Sequence, residues 1–305
     1  MTVSVFIDGA VGTTGLEIRD RLVGRADLTL ITLDEARRKD SAARRDALND
    51  ADIAILCLPD DAAVEAVALI DNPHTRVIDA SSAHRVADGW TYGFPELGHD
   101  VAGALRVSNP GCYPTGFLAL VAPLVRAGLI PAAWPLTVNA VSGYSGGGKA
   151  LIERVERDAT LGFRDYGFSL AHKHVPEMQR HAGLAHPPVF APMVARAFRG
   201  MIVEVPLPLG AMPGKPSPQA ILGAIEVAFA GCAVVSVHRD RPDELLIAVD
   251  AAPTDRLDLY VFTNEAGDQA RLVATLDNLG KGASGAAVQN LNIMAGADPL
   301  TGLVL

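Results

Sequence analysis

A short apolar run from Val3 to Ile7 leads into Asp8-Gly9-Ala10-Val11-Gly12-Thr13-Thr14-Gly15, and then into Leu16, Ile18 and Leu22 at helical spacing. Strand, glycine-rich turn and helix in that order build a site for a nucleotide. Glycines let the backbone approach a pyrophosphate, and the start of the helix turns unpaired N–H groups toward it. The spacing is Gly-x-x-Gly-x-x-Gly and not the commoner Gly-x-Gly-x-x-Gly. Glycine spacing alone is weak evidence, since a purely structural turn uses the same letters. The position after a strand and before a helix favours nucleotide binding by Gly9, Gly12, Thr13, Thr14 and Gly15.

The alternation continues. Leu28 to Leu33 reads as a second strand, Ala51 to Leu58 as a third buried on both faces, Asp61 to Ile70 as a helix, and Arg76 to Asp79 as another strand. This is the pattern of a doubly wound parallel sheet. After the second strand, Asp34 and Glu35 suit the free ribose hydroxyls of NAD, whereas Arg37, Arg38 and Lys39 suit the 2′-phosphate of NADP. We expect NADP, with Arg37 and Arg38 as contacts. Ser81 and Ser82 end the Arg76 strand, where such sheets bind ligands, and join the expected cofactor contacts. Arg85 can hold an anionic group through a forked pair of hydrogen bonds; a surface arginine is the alternative.

Beyond about Leu136 the strands follow one another without regular helices between them: Leu136–Ser142, Val189–Val194, Met201–Val205, Ala233–Val237, Leu257–Thr263 and Ala270–Leu276. The expected fold class is therefore α/β, a Rossmann-type dinucleotide-binding domain plus an α+β catalytic domain with a mostly antiparallel sheet. We place the dinucleotide-binding domain at 1–111 and 283–305, and the catalytic and oligomerisation domain at 112–282. The chain has 305 residues, a net charge of −9 and no Lys/Arg-rich block, which argues against nucleic acid. No basic leader with an apolar core precedes the first strand, and no apolar run is long enough for a membrane span. Three cysteines without a Cys-x-x-Cys pair argue against disulfides and zinc. The expected setting is cytoplasmic, and a homo-oligomer, dimer or tetramer, is expected from the second domain's sheet.

Cys57 and Cys232 adjoin apolar runs and read as packing residues. Cys112 differs. It lies in Ser108-Asn109-Pro110-Gly111-Cys112-Tyr113-Pro114-Thr115, where Asn-Pro-Gly forces a turn and Phe117, Leu118, Leu120, Val121 and Leu124 begin a helical pattern. A cysteine at a helix start has its thiolate favoured. Such a thiolate attacks an activated acyl carbon, and a nicotinamide can then reduce the resulting thioester to an aldehyde. An acid/base is needed near the sulfur. His172 and His174, in His172-Lys173-His174-Val175-Pro176-Glu177, are the candidates. Pro176 favours an extended Val175, and two residues apart in an extended segment share a face. Glu177 can orient one imidazole or favour a helix N-terminus. His-x-His also suits a metal, but no third ligand stands at convincing spacing, and none is expected.

The glycine turn, the Asn-Pro-Gly-Cys-Tyr-Pro-Thr stretch, the His-x-His-Val-Pro-Glu stretch and Gly282-Ala283-Ser284-Gly285 through Gln289-Asn290 together resemble the N-acetyl-gamma-glutamyl-phosphate reductases, most of all their shorter, second type. That family shares its fold with aspartate-semialdehyde dehydrogenase. The resemblance implies NADPH-dependent reduction of N-acetyl-L-glutamyl 5-phosphate to the 5-semialdehyde with release of phosphate, in arginine biosynthesis. It implies Cys112 as nucleophile, His172 and His174 as the acid/base pair, Arg85 as phosphate holder and Asn290 as a cofactor contact. Asn109, Ser142 and Glu177 join Arg85 as expected substrate contacts. The rivals are aspartate-semialdehyde dehydrogenase itself, a non-catalytic nucleotide-sensing protein and, more weakly, a metal-dependent dehydrogenase.

Overall fold

A computed structural model describes residues 2–305. The chain divides into two compact units, residues 1–111 with 283–303, and residues 112–282 with 304–305. Val304 and Leu305 group with the second unit because Asp255 holds Val304 from both sides: its carboxylate accepts the Val304 N–H at 2.8 Å, and its own N–H donates to the Val304 carbonyl at 2.6 Å.

In the first unit, β1 (Val3–Asp8) is followed by α1 (Thr13–Leu22), β2 (Leu28–Ile31), α2 (Ser41–Asp50), β3 (Ile53–Leu56), α3 (Asp60–Ala68), β4 (Arg76–Asp79), β5 (Thr91–Tyr92) and β6 (Arg106–Ser108). A C-terminal helix, Gly285–Ala295, completes it. All the strand pairs are parallel, in the order β2-β1-β3-β4-β6-β5. Alternate side chains of a strand point to opposite faces, and here both faces are covered. Val5, Ile7, Ile53, Ile55 and Ile78 pack with Ile18, Leu22, Val288 and Leu291 on one face. Phe6, Ala54, Leu56 and Val77 pack with Leu48, Ala63 and Ala66 on the other. Helix α2 stands where the sequence offers mainly charge. Asp40 starts it by accepting the Ala43 N–H at 2.7 Å, and only Ala43, Ala47 and Leu48 are buried.

The second unit opens with α4 (Cys112–Arg126), β7 (Thr137–Gly143), α5 (Gly148–Arg157), β8 (Phe163–Asp165) and α6 (Val175–Ala182). It continues with β9 (Val189–Ala195), β10 (Met201–Leu207), α7 (Pro218–Ala228), β11 (Val235–His238), β12 (Leu257–Thr263) and β13 (Ala270–Leu276). The sheet order is β11-β12-β13-β10-β7-β9-β8. The β11–β12 and β7–β9 pairs are parallel and the others antiparallel. Along β10 and β12 buried and half-buried residues alternate, so one face is packed and one is open. Helix α4 packs on the covered face and is buried from Tyr113 through Leu124. Gly116 sets that approach: a β-carbon there would lie 2.9 Å from Val203 Cγ2 and 3.3 Å from Ala274 Cβ.

Gly116→Val should therefore overpack this contact and destabilise the protein by about 1–3 kcal/mol. A lower urea midpoint at unchanged slope is expected. An unchanged midpoint contradicts the close approach.

Candidate active site

The glycine turn of the first unit is sterically specified at two points. Gly9 has φ +90°, and a β-carbon on it would lie 2.3 Å from the Cys57 carbonyl oxygen. A β-carbon on Gly15 would lie 2.4 Å from the Gly9 carbonyl oxygen, so the helix packs directly onto the turn. Gly12 is different. Its nearest neighbour would be 3.4 Å away, so the protein itself leaves room there. Gly12 is the N-cap of α1 and no side chain caps the first turn, which opens with Thr13, Thr14 and Gly15. Beside the turn lies a cavity of about 490 Å³ lined by Asp8 to Val11, Arg19, Thr32, Leu33, Arg38, Lys39, Arg44 and Leu58. Arg38 lines it and Arg37 does not. The Arg37 main-chain N–H is drawn back to Asp34, 2.9 Å from Oδ1. Asp34 and Glu35 are not among the lining residues, and Glu35 pairs with Arg38 at 3.0 Å.

After β4, the serines are tied to carboxylates. Ser81 donates its hydroxyl to Asp79 at 2.7 Å and Ser82 to Asp60 at 2.6 Å. Asp79 is wholly buried and also meets His84 Nδ1 at 2.6 Å; His84 in turn stacks on Trp90 at 4.0 Å. Arg85 is buried and anchored, donating from Nε to the Asn109 carbonyl at 2.9 Å and from Nη2 to the Ala80 carbonyl at 3.3 Å. Asn109 is committed as well. Its Nδ2 donates to the Ala283 carbonyl at 2.9 Å, and its Oδ1 accepts from Asn290 Nδ2 at 3.1 Å. Asn109 thus holds its neighbours in place within this unit. Asn290 is buried, donates also to the Gly93 carbonyl at 3.0 Å, and keeps Oδ1 without a hydrogen-bond partner.

In the second unit, Cys112 is the first residue of α4. A β-carbon on Gly282 would lie 2.9 Å from the Cys112 β-carbon, so the backbone of Gly282 forms one wall of the cysteine. The Asp277 carbonyl accepts the Gly282 N–H at 3.0 Å, in the wide turn that begins at Gly280. The buried Asp277 carboxylate binds Arg199 Nη1 at 2.9 Å and accepts the Leu279 N–H at 2.9 Å. Next to it, Asn278 donates to Ser145 at 2.8 Å. Ser142 is buried at the end of β7 and donates to the Gly143 carbonyl at 3.1 Å.

The two histidines meet, but not on an extended strand. His174 has helical dihedrals (φ −85°, ψ −13°) and Val175 begins α6. Pro176 falls in the first helical turn, where its missing N–H costs nothing, so it starts a helix and does not extend the chain. The turn still brings the rings to 4.7 Å between centroids. The His174 main-chain N–H donates to His172 Nδ1 at 3.2 Å, which places the proton of a neutral His172 on Nε2. Glu177, buried, lies 3.9 Å from His174 Nε2. Tyr113, Tyr166 and Phe190 box His172 at 6.1, 5.8 and 5.2 Å between ring centroids. Tyr166 donates to Tyr113 at 3.3 Å, and Tyr113 to the Met193 carbonyl at 3.1 Å. Burial raises both phenols, and a charge on Cys112 raises them further, so both stay protonated.

Family models match both units: "Semialdehyde dehydrogenase, NAD binding domain" over residues 32–104 and "Semialdehyde dehydrogenase, dimerisation domain" over residues 112–278. An N-acetyl-gamma-glutamyl-phosphate reductase 2 of Pseudomonas putida is 52% identical, covering 96% of this chain and 97% of its own length. The chain belongs to the N-acetyl-gamma-glutamyl-phosphate reductase family. Another member, from Trichormus variabilis, is 49% identical over 98% of both chains. Among solved structures, an aspartate semialdehyde dehydrogenase II of Vibrio cholerae has a TM-score of 0.69 at 16% identity, covering 97% of this chain and 99% of that one. A probable aspartate-semialdehyde dehydrogenase of Pseudomonas aeruginosa scores 0.70 at 16% identity, covering 96% and 98%. These two establish the shared fold.

Arg199, Asp277, Asn278, Tyr113 and Tyr166 were not among the residues singled out from sequence. Arg199 and Asp277 are far apart in the chain, and only the fold pairs them.

The cysteines separate by environment. Burial, with the nearby Asp79 and Asp8 charges, pushes the Cys57 thiol up to about 12. At pH 8 its thiolate fraction is then roughly one in ten thousand. Iodoacetamide at pH 8 should label Cys112 and spare Cys57, as read by peptide mass. Labelling of Cys57 at a comparable rate contradicts this difference.

Proposed function

We propose that the chain catalyses NADPH-dependent reduction of N-acetyl-L-glutamyl 5-phosphate to N-acetyl-L-glutamate 5-semialdehyde and phosphate, in arginine biosynthesis in the cytoplasm. The observation that carries the mechanism is Cys112 at the first position of α4, in a unit that also holds paired imidazoles and two neutral phenols sensitive to its charge.

The first unit's residues suit a nicotinamide dinucleotide. Room at Gly12 and the uncapped start of α1 suit a pyrophosphate. Arg38, Lys39 and Arg44 line the neighbouring cavity, and Asp34 and Glu35 do not, which favours NADP over NAD. The unpartnered Asn290 Oδ1 suits a carboxamide N–H. Gly9, Gly12, Thr13, Thr14, Gly15, Arg38 and Asn290 are the contacts this reading keeps. Ser81 and Ser82 shape the loop after β4.

The Cys112 thiolate, favoured at the α4 N-terminus, attacks the acyl carbon. A C–S bond forms, the C–O bond to phosphate breaks, and phosphate leaves with the electron pair. Arg85 holds the phosphate end by a charge-assisted contact. Held by the glycine turn, Arg38 and Asn290, NADPH would supply the hydride for reduction of the thioester. His172, its proton on Nε2, hydrogen-bonds the developing oxyanion and keeps that proton; the oxyanion then re-forms the carbonyl as the C–S bond breaks, and the electron pair returns to Cys112 as thiolate. Glu177 orients His174, and Ser142 lines the substrate side.

Cys112→Ser should lower turnover at least about a thousandfold while leaving NADPH binding intact. Wild-type protein should reduce NADP with N-acetyl-glutamate semialdehyde and phosphate. Retained turnover in the variant, or a preference for aspartate semialdehyde, overturns the proposal.

We further infer that the open face of the second unit's sheet pairs two copies of the chain. It presents Ile202, Pro206, Tyr260 and Phe262, the last two stacked at 5.9 Å. Tyr260→Glu should shift the sedimentation coefficient to that of a monomer. An unchanged assembly would refute this face as the interface.

A further inference from the structure

The nucleotide-binding unit carries an ion pair that neither the glycine turn nor the acyl chemistry uses. Asp8 ends β1 and is only 4% exposed. Arg44, in the first turn of α2, grips it. Arg44 Nε lies 3.3 and 3.1 Å from the two carboxylate oxygens, and Nη2 lies 2.8 Å from Oδ2. Both residues line the 490 Å³ cavity beside the glycine turn, together with Thr32, Arg38 and Lys39.

Asp8 lines the nucleotide cavity, so its charge bears on any anion bound there. Left ionised and unpaired, Asp8 would repel a phosphate there. Paired, it cannot. Nε and Nη2 of Arg44 face the carboxylate, and the Nη1 donors remain outside the fork. The pair therefore neutralises the acid and offers a fixed guanidinium edge to an anion. Arg38 also lines the cavity, but its side chain is 36% exposed and is engaged by Glu35. Arg44 is 15% exposed. Its charge is less screened by solvent, and less side-chain freedom is lost when a phosphate binds.

We propose that Arg44 is the specificity-determining residue for the 2′-phosphate of the cofactor's adenosine, with Asp8 as its positioning residue. This rests on the NADP reading above.

The test is titration calorimetry on the full chain with adenosine 2′,5′-bisphosphate and adenosine 5′-phosphate, neither of which supports turnover. Wild-type protein should bind the bisphosphate at least about tenfold more tightly. Arg44→Gln should abolish most of that preference while changing affinity for adenosine 5′-phosphate by less than about threefold. Because that variant buries an unpaired Asp8, Asp8→Asn/Arg44→Gln serves as the charge-free control and should also lose the preference. Asp8→Asn alone should weaken it, since the guanidinium remains but its anchor loosens. Arg38→Gln should change it less than Arg44→Gln does. If the charge-free double variant keeps the preference, or if Arg38→Gln alone removes it, the assignment of Arg44 is wrong and the NADP reading stands. If wild-type protein shows no preference, the NADP reading fails, and the assignment fails with it.

Discussion

The burial of α4 fixes the chemistry of the second unit. From Tyr113 to Leu124 every residue of that helix is buried, so its apolar surface has no open side. A helix enclosed all round cannot slide or tilt without opening voids, and its first residue inherits that rigidity. Cys112 is that residue. The turn made by Asn109, Pro110 and Gly111 stops the chain from adding helix ahead of it. Gly116 lets α4 approach β10 and β13 closely, and Gly282 closes a wall on the cysteine's β-carbon. The nucleophile thus has a fixed position before any substrate arrives, which is where orientation contributes to rate.

Buried polar groups organise the surroundings of both candidate centres. Asp277 ties Arg199, Leu279 and the Gly282 turn into one network. Asp79 ties Ser81 and His84, and Asn109 ties Asn290 and the Ala283 backbone. Asp277, Asp79 and Asn109 are almost fully buried, and each is held by more than one partner. Removing one would strand the others in a low-dielectric interior, at a cost larger than the bond itself contributes.

Much of this was legible from the sequence for a clear reason. The strand–turn–helix opening, the Arg76–Asp79 strand and the start of a helix near Cys112 are local features, encoded by periodicity and by glycine and proline. The family resemblance rested on the same contiguous stretches. What escaped was non-local or locally ambiguous. Helix α2 shows little apolar periodicity, so Arg44 had no recognisable element to sit on. Asp8 and Arg44 meet only because β1 and α2 pack in one unit, and Arg199 and Asp277 only because β10 and β13 pair. The histidines came together through a helix start and not an extended strand, because Pro176 is compatible with both and the rest of α6 decides between them. Ser81, Ser82 and Asn109 were legible as residues at the ends of strands, but their hydrogen bonds to Asp79, Asp60, Ala283 and Asn290 were not, because all of those partners but Asp79 come from elsewhere in the fold.

The central claim is that substrate carbon becomes covalently bound to Cys112. The most direct measurement is intact-protein and peptide mass spectrometry after acid quench of the enzyme mixed with N-acetyl-glutamyl 5-phosphate in the absence of cofactor. The account predicts one acyl adduct on the peptide carrying Cys112, lost on adding NADPH and absent from Cys112→Ser. Full catalytic turnover with no adduct, or an adduct on another residue that is consumed at the turnover rate, would contradict it.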